Sequence, residues 1–115
     1  MSIAIGQKEA LTMWRDALVA SVRHEGPDLS ARQMAILLIV YLDERPQTVR
    51  GLAAALAISK PAVTRALDRL SKFGYARRVK DEADRRNVLV TRTVKGSVFL
   101  SEFAELIVTA ARHAG

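Results

Sequence analysis

The sequence predicts a mainly α fold that carries one small β-hairpin. Three observations predict it. Apolar residues recur at three- and four-residue spacing in five stretches, the period of helices with one buried face. Alternation of apolar and polar residues appears between Tyr75 and Arg92, where a polar segment, Asp81 to Arg86, divides two short strands. Positive charge is concentrated on residues 59–95, which hold eleven basic and four acidic side chains; the remainder holds seven and eight. Helix, tight turn, helix and basic hairpin, in that order, are the parts of a winged helix-turn-helix.

The elements follow in order. Residues 8–24 form an amphipathic helix with Leu11, Trp14, Leu18 and Val22 on one face, ended by Gly26-Pro27. Leu29 to Asp43 is the second helix. Ser30 and Gln33 have the spacing of a capping box, and Met34 to Leu42 is apolar nearly all round, as expected of a buried central helix. A turn surrounds Pro46, and Thr48-Val49 add a short strand. Arg50 to Ala57 is the third helix, with Leu52, Ala53 and Leu56 facing the core. Ser59 is the expected N-cap of the fourth, which runs to Phe73 and stops at Gly74. Pro61 then falls at the second helical position and offers no N–H, so the Ser59 oxygen is expected to bond the N–H of Ala62. Tyr75–Lys80 and Asn87–Arg92 are the strands. Thr93 caps a last helix reaching about His113, with Phe99, Phe103, Leu106, Ile107 and Ala110 as its apolar stripe.

Composition sets the bounds. The 115 residues suit a single domain with one core, half of them hydrophobic. The absence of cysteine excludes disulfides, thiolate metal sites and thiol redox sensing. The first residues lack the basic start and long apolar core of a signal peptide, and Met34 to Leu42 is too short to span a bilayer. A cytoplasmic protein without a membrane partner is expected. His24 and His113 lack metal-ligand spacing and are expected to face solvent, so neither metal nor cofactor is expected. The chain has no glycine-rich phosphate loop, nucleophile motif or His/Cys cluster, and so does not read as an enzyme.

From Leu29 to about Leu100 the sequence resembles the MarR family of bacterial transcriptional regulators. The resemblance is carried by Leu29-Ser30-x-x-Gln33, by Leu52-Ala53-x-x-Leu56-x-Ile58-Ser59, and by Val63-Thr64-Arg65-x-Leu67-Asp68-Arg69-Leu70-x-x-x-Gly74. Asp81-x-x-Asp84-Arg85-Arg86-x-Val88-Leu89-Val90 and Thr93-x-Lys95-Gly96 complete it. It implies a homodimer held by N- and C-terminal helices, here residues 1–28 and 94–115 around a DNA-binding core of 29–93. It also implies a recognition helix at 59–73 and a wing at 81–86. A pseudo-palindromic operator, repression, and release by a small anionic or aromatic effector are implied in turn. Two departures stand out. About twenty residues follow Gly96, fewer than the family usually has, so the interface is expected to be reduced, rearranged or dependent on a partner. Arg92 stands where the family tends to carry Leu before the Thr, an added charge expected to turn a side chain toward DNA.

Candidate contacts with double-stranded DNA follow from these placements. Lys60, Ala62, Thr64 and Arg65 occupy the first turns of the fourth helix, which face the groove in helix-turn-helix proteins. Arg65 suits guanine, and Thr64 a phosphate or a thymine methyl. Ordinary solvated helix residues are the alternative. Ser59 belongs to the same helix start; Arg69 belongs to the same helix, though it and Asp68 also suit ion pairing. Thr48 and Arg50, at the start of the third helix, are placed to clamp phosphate. At the wing, Arg85 is the expected DNA contact and Arg86 the second candidate, with Asp81 and Asp84 orienting the loop. Arg77, Arg78 and Lys80 suit either phosphate attraction or a solvated strand face. Leu11, Trp14 and Leu18, with Phe99, Phe103, Leu106 and Ile107, form two apolar stripes that the core does not need, and are the expected dimer interface. Trp14 reads as interface or core rather than as a ligand-stacking residue.

Two functions compete at this level. One is a sequence-specific transcriptional regulator. The other is a winged-helix module for protein–protein association, with little specific DNA binding. The concentrated charge and the Thr64-Arg65 and Asp84-Arg85-Arg86 motifs favour the first.

Overall fold

The order of elements is that of the sequence reading, with ends shifted by one or two residues. A computed structural model describes residues 5–114. Its helices are α1 (Gln7–Arg23), α2 (Ala31–Leu42), α3 (Val49–Leu56), α4 (Lys60–Lys72) and α5 (Val94–Ala114). Its strands are β1 (Gln47–Thr48), β2 (Ala76–Lys80) and β3 (Val88–Arg92). Residues 1–4 and 115, assigned above to the terminal helices, lie outside the described residues.

The chain divides into two compact units. One comprises Leu29–Val98 and the other the two terminal segments, up to Asp28 and from Phe99 onward. In the Leu29–Val98 unit, α2 starts two residues later than Leu29 because Ser30, in extended backbone, is its N-cap. The Ser30 Oγ accepts from the Gln33 N–H (3.1 Å), and the Gln33 Oε1 accepts from the Ser30 N–H (2.9 Å), so the expected capping box forms. Ile36, Leu37 and Val40 of α2, Leu52 and Ala53 of α3 and the inner row of α4 are buried and form the core, with α4 packed against both α2 and α3. The α2 helix is not buried all round: Leu42 is exposed, and Met34, Leu38 and Ile39 are half-buried.

Val49 opens α3 rather than extending the short strand, because the Thr48 Oγ1 accepts from the Gly51 N–H (2.9 Å) and so acts as N-cap. Ala57 closes α3 in the left-handed region, at φ 54° and ψ 43°, and this one residue makes the tight turn into α4. The far end of α4 is a paired cap. Gly74, at φ 78°, donates to the Ser71 carbonyl (2.9 Å), and Tyr75 donates to the Leu70 carbonyl (2.9 Å).

The sheet is three-stranded and antiparallel in the order β1-β3-β2. Arg78 pairs with Val90 and Lys80 with Val88 across the hairpin, while Gln47 of β1 pairs with Val90 on its other side. One tyrosine ties the sheet to the helices. The Tyr41 hydroxyl donates to the Tyr75 carbonyl (2.8 Å) and accepts from the Thr93 N–H (2.8 Å). The Thr93 hydroxyl in turn donates to the Gly74 carbonyl (2.7 Å) and accepts from the Gly96 N–H (2.9 Å), giving α5 its cap. Gly96 has to be glycine here, since a Cβ would collide with the Tyr41 hydroxyl and the Tyr75 carbonyl.

In the other unit, Ala17, Phe103 and Ala110 are buried. The Trp14 and Phe103 rings meet edge to face, with centroids 6.5 Å apart.

Candidate nucleic-acid interface

The two faces of α4 are sharply separated by its sequence. Ala62, Val63, Ala66, Leu67 and Leu70 are buried, and Lys60, Pro61, Thr64, Arg65, Asp68, Arg69 and Lys72 are exposed. That is the 3.6-residue period with one apolar and one polar face. The Ser59 Oγ accepts from the Ala62 N–H (3.2 Å), as the position of Pro61 requires. Thr64 and Arg65 stand exposed on the outer face. Ala62 does not: its methyl is 7% exposed and belongs to the core, which removes it from the candidate contacts. In sequence it sits among groove-facing positions; in the helix it falls on the row of Val63 and Ala66.

Farther along α4, Asp68 and Arg69 are both engaged. Arg78, from β2, donates from its Nη2 to the Asp68 Oδ1 at 2.6 Å. The Arg69 guanidinium lies over the Phe73 ring, 5.0 Å from its centroid. Arg77 and Lys80, by contrast, stand exposed on the hairpin.

The wing is a closed loop with its own internal ties. Asp81 donates from its N–H to the Asn87 carbonyl (3.2 Å), and Asn87 donates to the Asp84 carbonyl (2.9 Å). The Asp81 Oδ1 accepts from the Ala83 N–H (2.9 Å). The Asp84 Oδ1 accepts from both the N–H and the Nε of Arg86, each at 3.1 Å. The Arg86 guanidinium and N–H beside Asp84 hold its carboxyl below the usual aspartate range, and the charge of Arg50 adds to this. Both aspartates thus accept hydrogen bonds from within the loop itself. Arg86 is the paired arginine, and among the described residues nothing holds Arg85, which is exposed.

At the start of α3, the Thr48 hydroxyl is half-buried and occupied by its cap bond, while Arg50 is exposed. Arg92 corrects an expectation. Its Nε donates to the Val40 carbonyl (2.9 Å), its Nη2 to the Asp43 carbonyl (2.8 Å), and its guanidinium lies over the Tyr41 ring. It closes the C-terminal end of α2 and is not directed to DNA. The free carbonyls of a helix end attract a guanidinium more strongly than open solvent does. Sequence reasoning also passed over Tyr41, which ties α2 to the residues immediately before β2 and α5.

The two apolar stripes differ. Leu11, Trp14 and Leu18 are exposed, at 71%, 47% and 42%. Phe99, Leu106 and Ile107 are half-buried, and Phe103 is buried, at 6%, against the expectation that the core would leave it uncovered. His24 and His113 are exposed.

The family model for MarR matches residues 19–87, more than half of the chain. The chain belongs to the MarR family. Solved structures agree on the fold. A transcriptional regulator, Tm0710 from Thermotoga maritima, aligns with a TM-score of 0.65 at 24% identity, over 90% of this chain and 68% of that one. A mutant MarR from E. coli complexed with operator DNA aligns with a TM-score of 0.68 at 24% identity, over 92% and 70% of the two chains. The adhesin competence repressor (AdcR) from Streptococcus pyogenes aligns with a TM-score of 0.62 at 25% identity, over 89% and 73%. A comparison with curated proteins found no match. The fold shared with these structures is a mainly helical body with a small three-stranded antiparallel sheet. Among the described residues no helix is long and apolar enough to cross a membrane.

Proposed function

We propose that this MarR-family chain is a sequence-specific DNA-binding transcriptional regulator of the cytoplasm. In this reading it acts as a homodimer on a pseudo-palindromic operator, represses transcription, and is released by a small aromatic or anionic effector. The observation that carries it is the outer face of α4, where Thr64 and Arg65 are exposed, beside a wing whose Arg86 is tied down and whose Arg85 is not. Base edges are read by side chains at the start of a helix lying in the major groove. The wing arginine would extend the contact to backbone or minor groove, where it positions the protein. Lys60, Arg50, Ser59 and Thr48 border the same helix starts and supply attraction to phosphate.

Dimerisation is supported by the exposed row Leu11, Trp14 and Leu18 on α1, since contiguous apolar surface of this kind is otherwise costly to leave in water. A two-fold dimer reads a two-fold site. Selection of bound DNA from a random library tests the reading. A palindromic consensus is the expected result. Failure to enrich any sequence would favour the protein–protein association module instead.

A further inference from the structure

The outer face of α4 carries one anomaly. Successive helix residues advance by about 100°, and the buried residues Ala62, Val63, Ala66, Leu67 and Leu70 define the inner side. Asp68 lies diametrically opposite, in the middle of the outer face, one turn beyond Thr64 and one turn before Lys72. The other charged residues of that face, Lys60, Arg65, Arg69 and Lys72, are all basic. A carboxylate at the centre of a surface that approaches a polyanion weakens every contact with phosphate.

We propose that Asp68 is a base-discriminating residue, held in place by Arg78, that accepts a hydrogen bond from an exocyclic amino group in the major groove, cytosine N4 foremost. This rests on the DNA-binding reading above. The Asp68 side chain is 59% exposed, so its carboxylate is open to a ligand. Arg78 occupies Oδ1 alone, and among the described residues nothing donates to Oδ2. Arg78 starts from β2, paired with the buried Val90, and its side chain is 31% exposed. It is a positioning residue: it fixes the carboxylate rotamer from a strand and offsets part of its charge. An acceptor without a donor of its own selects for N–H groups. In the major groove those are the amino groups of cytosine and adenine, whereas guanine offers two acceptors and is repelled.

The test is library selection with the wild type and four variants, followed by affinity measurements on the selected site and on random DNA. Wild type should prefer cytosine at one position per half-site, by roughly fivefold or more over guanine. Asp68→Ala should lose that preference, keep the others, and bind random DNA severalfold more tightly. Asp68→Asn should move the preference toward adenine, which an amide pairs through N6 and N7. Arg78→Ala should blur the same position while weakening random binding, and Arg78→Lys should restore part of it. A merely structural tie predicts something else: a lower melting temperature for Asp68→Ala with an unchanged consensus, which overturns the proposal. Uniform loss at every position overturns it too. If wild type enriches no sequence, DNA reading itself fails; if it enriches one that Asp68→Ala leaves intact, this inference alone fails.

Discussion

Arg85 and Arg86 are neighbours in sequence with different surroundings. Arg86 is spent on Asp84, and Arg85 is left to solvent. Removing Arg85 should therefore weaken DNA binding without much change to the major-groove consensus. Arg65→Ala should cost about 1–3 kcal/mol at the preferred site and relax one position per half-site. Competition binding on the selected site and on random DNA separates the two; equal losses on both for Arg65→Ala would remove α4 as the reading element. The Asp84 bond also makes the wing sensitive to acid. The folded carboxyl titrates below its unfolded value, so the ordering it provides is complete above the usual aspartate range and is lost as pH falls through the lowered value. In an NMR acid titration the Arg86 amide should move with a midpoint below that of an unstructured aspartate. A midpoint at or above it contradicts the bond.

At the scale of elements, what the sequence made legible was whatever depends on near neighbours. Ser30 with Gln33, Ser59 with Ala62, and Gly74 after α4 all act within a few residues, and each forms as expected. Arg92 and Tyr41 were not legible, because their partners are many positions away and exist only once the fold has formed. The outer face of α4 was readable from its period, except that Ala62 falls on the inner row. The sequence favours Arg85 as the DNA contact, which leaves Arg86 to pair with Asp84 or Asp81, and in the loop Arg86 takes Asp84. Because Arg92 closes α2, Arg92→Leu should lower stability by about 1 kcal/mol through the freed carbonyls. It should leave the salt dependence of DNA binding unchanged, since that slope counts phosphate contacts. A shallower slope for the variant would return Arg92 to the interface.

For the whole molecule, the difference between the two apolar stripes decides how assembly is tested. Phe103 is buried within the chain, so Phe103→Glu would cost several kcal/mol of folding and say little about association. Leu11 is 71% exposed. Leu11→Glu should change the stability of a monomer by no more than about 0.5 kcal/mol, yet convert the proposed dimer to monomer. Light scattering at micromolar concentration reads the outcome. A variant that stays dimeric places the interface elsewhere.

The Tyr41 hydroxyl has a consequence in time as well as in space. Its partners Tyr75 and Thr93 lie 34 and 52 residues along the chain. Contacts of such long range close large loops, so they form after local helices and the hairpin. The expectation is that the tie forms late, after most of the folding transition state. Tyr41→Phe leaves the Thr93 N–H without its acceptor and should destabilise by about 1–3 kcal/mol. Nearly all of that loss should appear as faster unfolding, roughly tenfold for each 1.4 kcal/mol, with the refolding rate little changed. The hydroxyl would thus govern how long the wing and α4 stay assembled once formed, and only slightly how quickly they assemble. Stopped-flow kinetics distinguish the two, and a slowed refolding limb would move the tie into the nucleus.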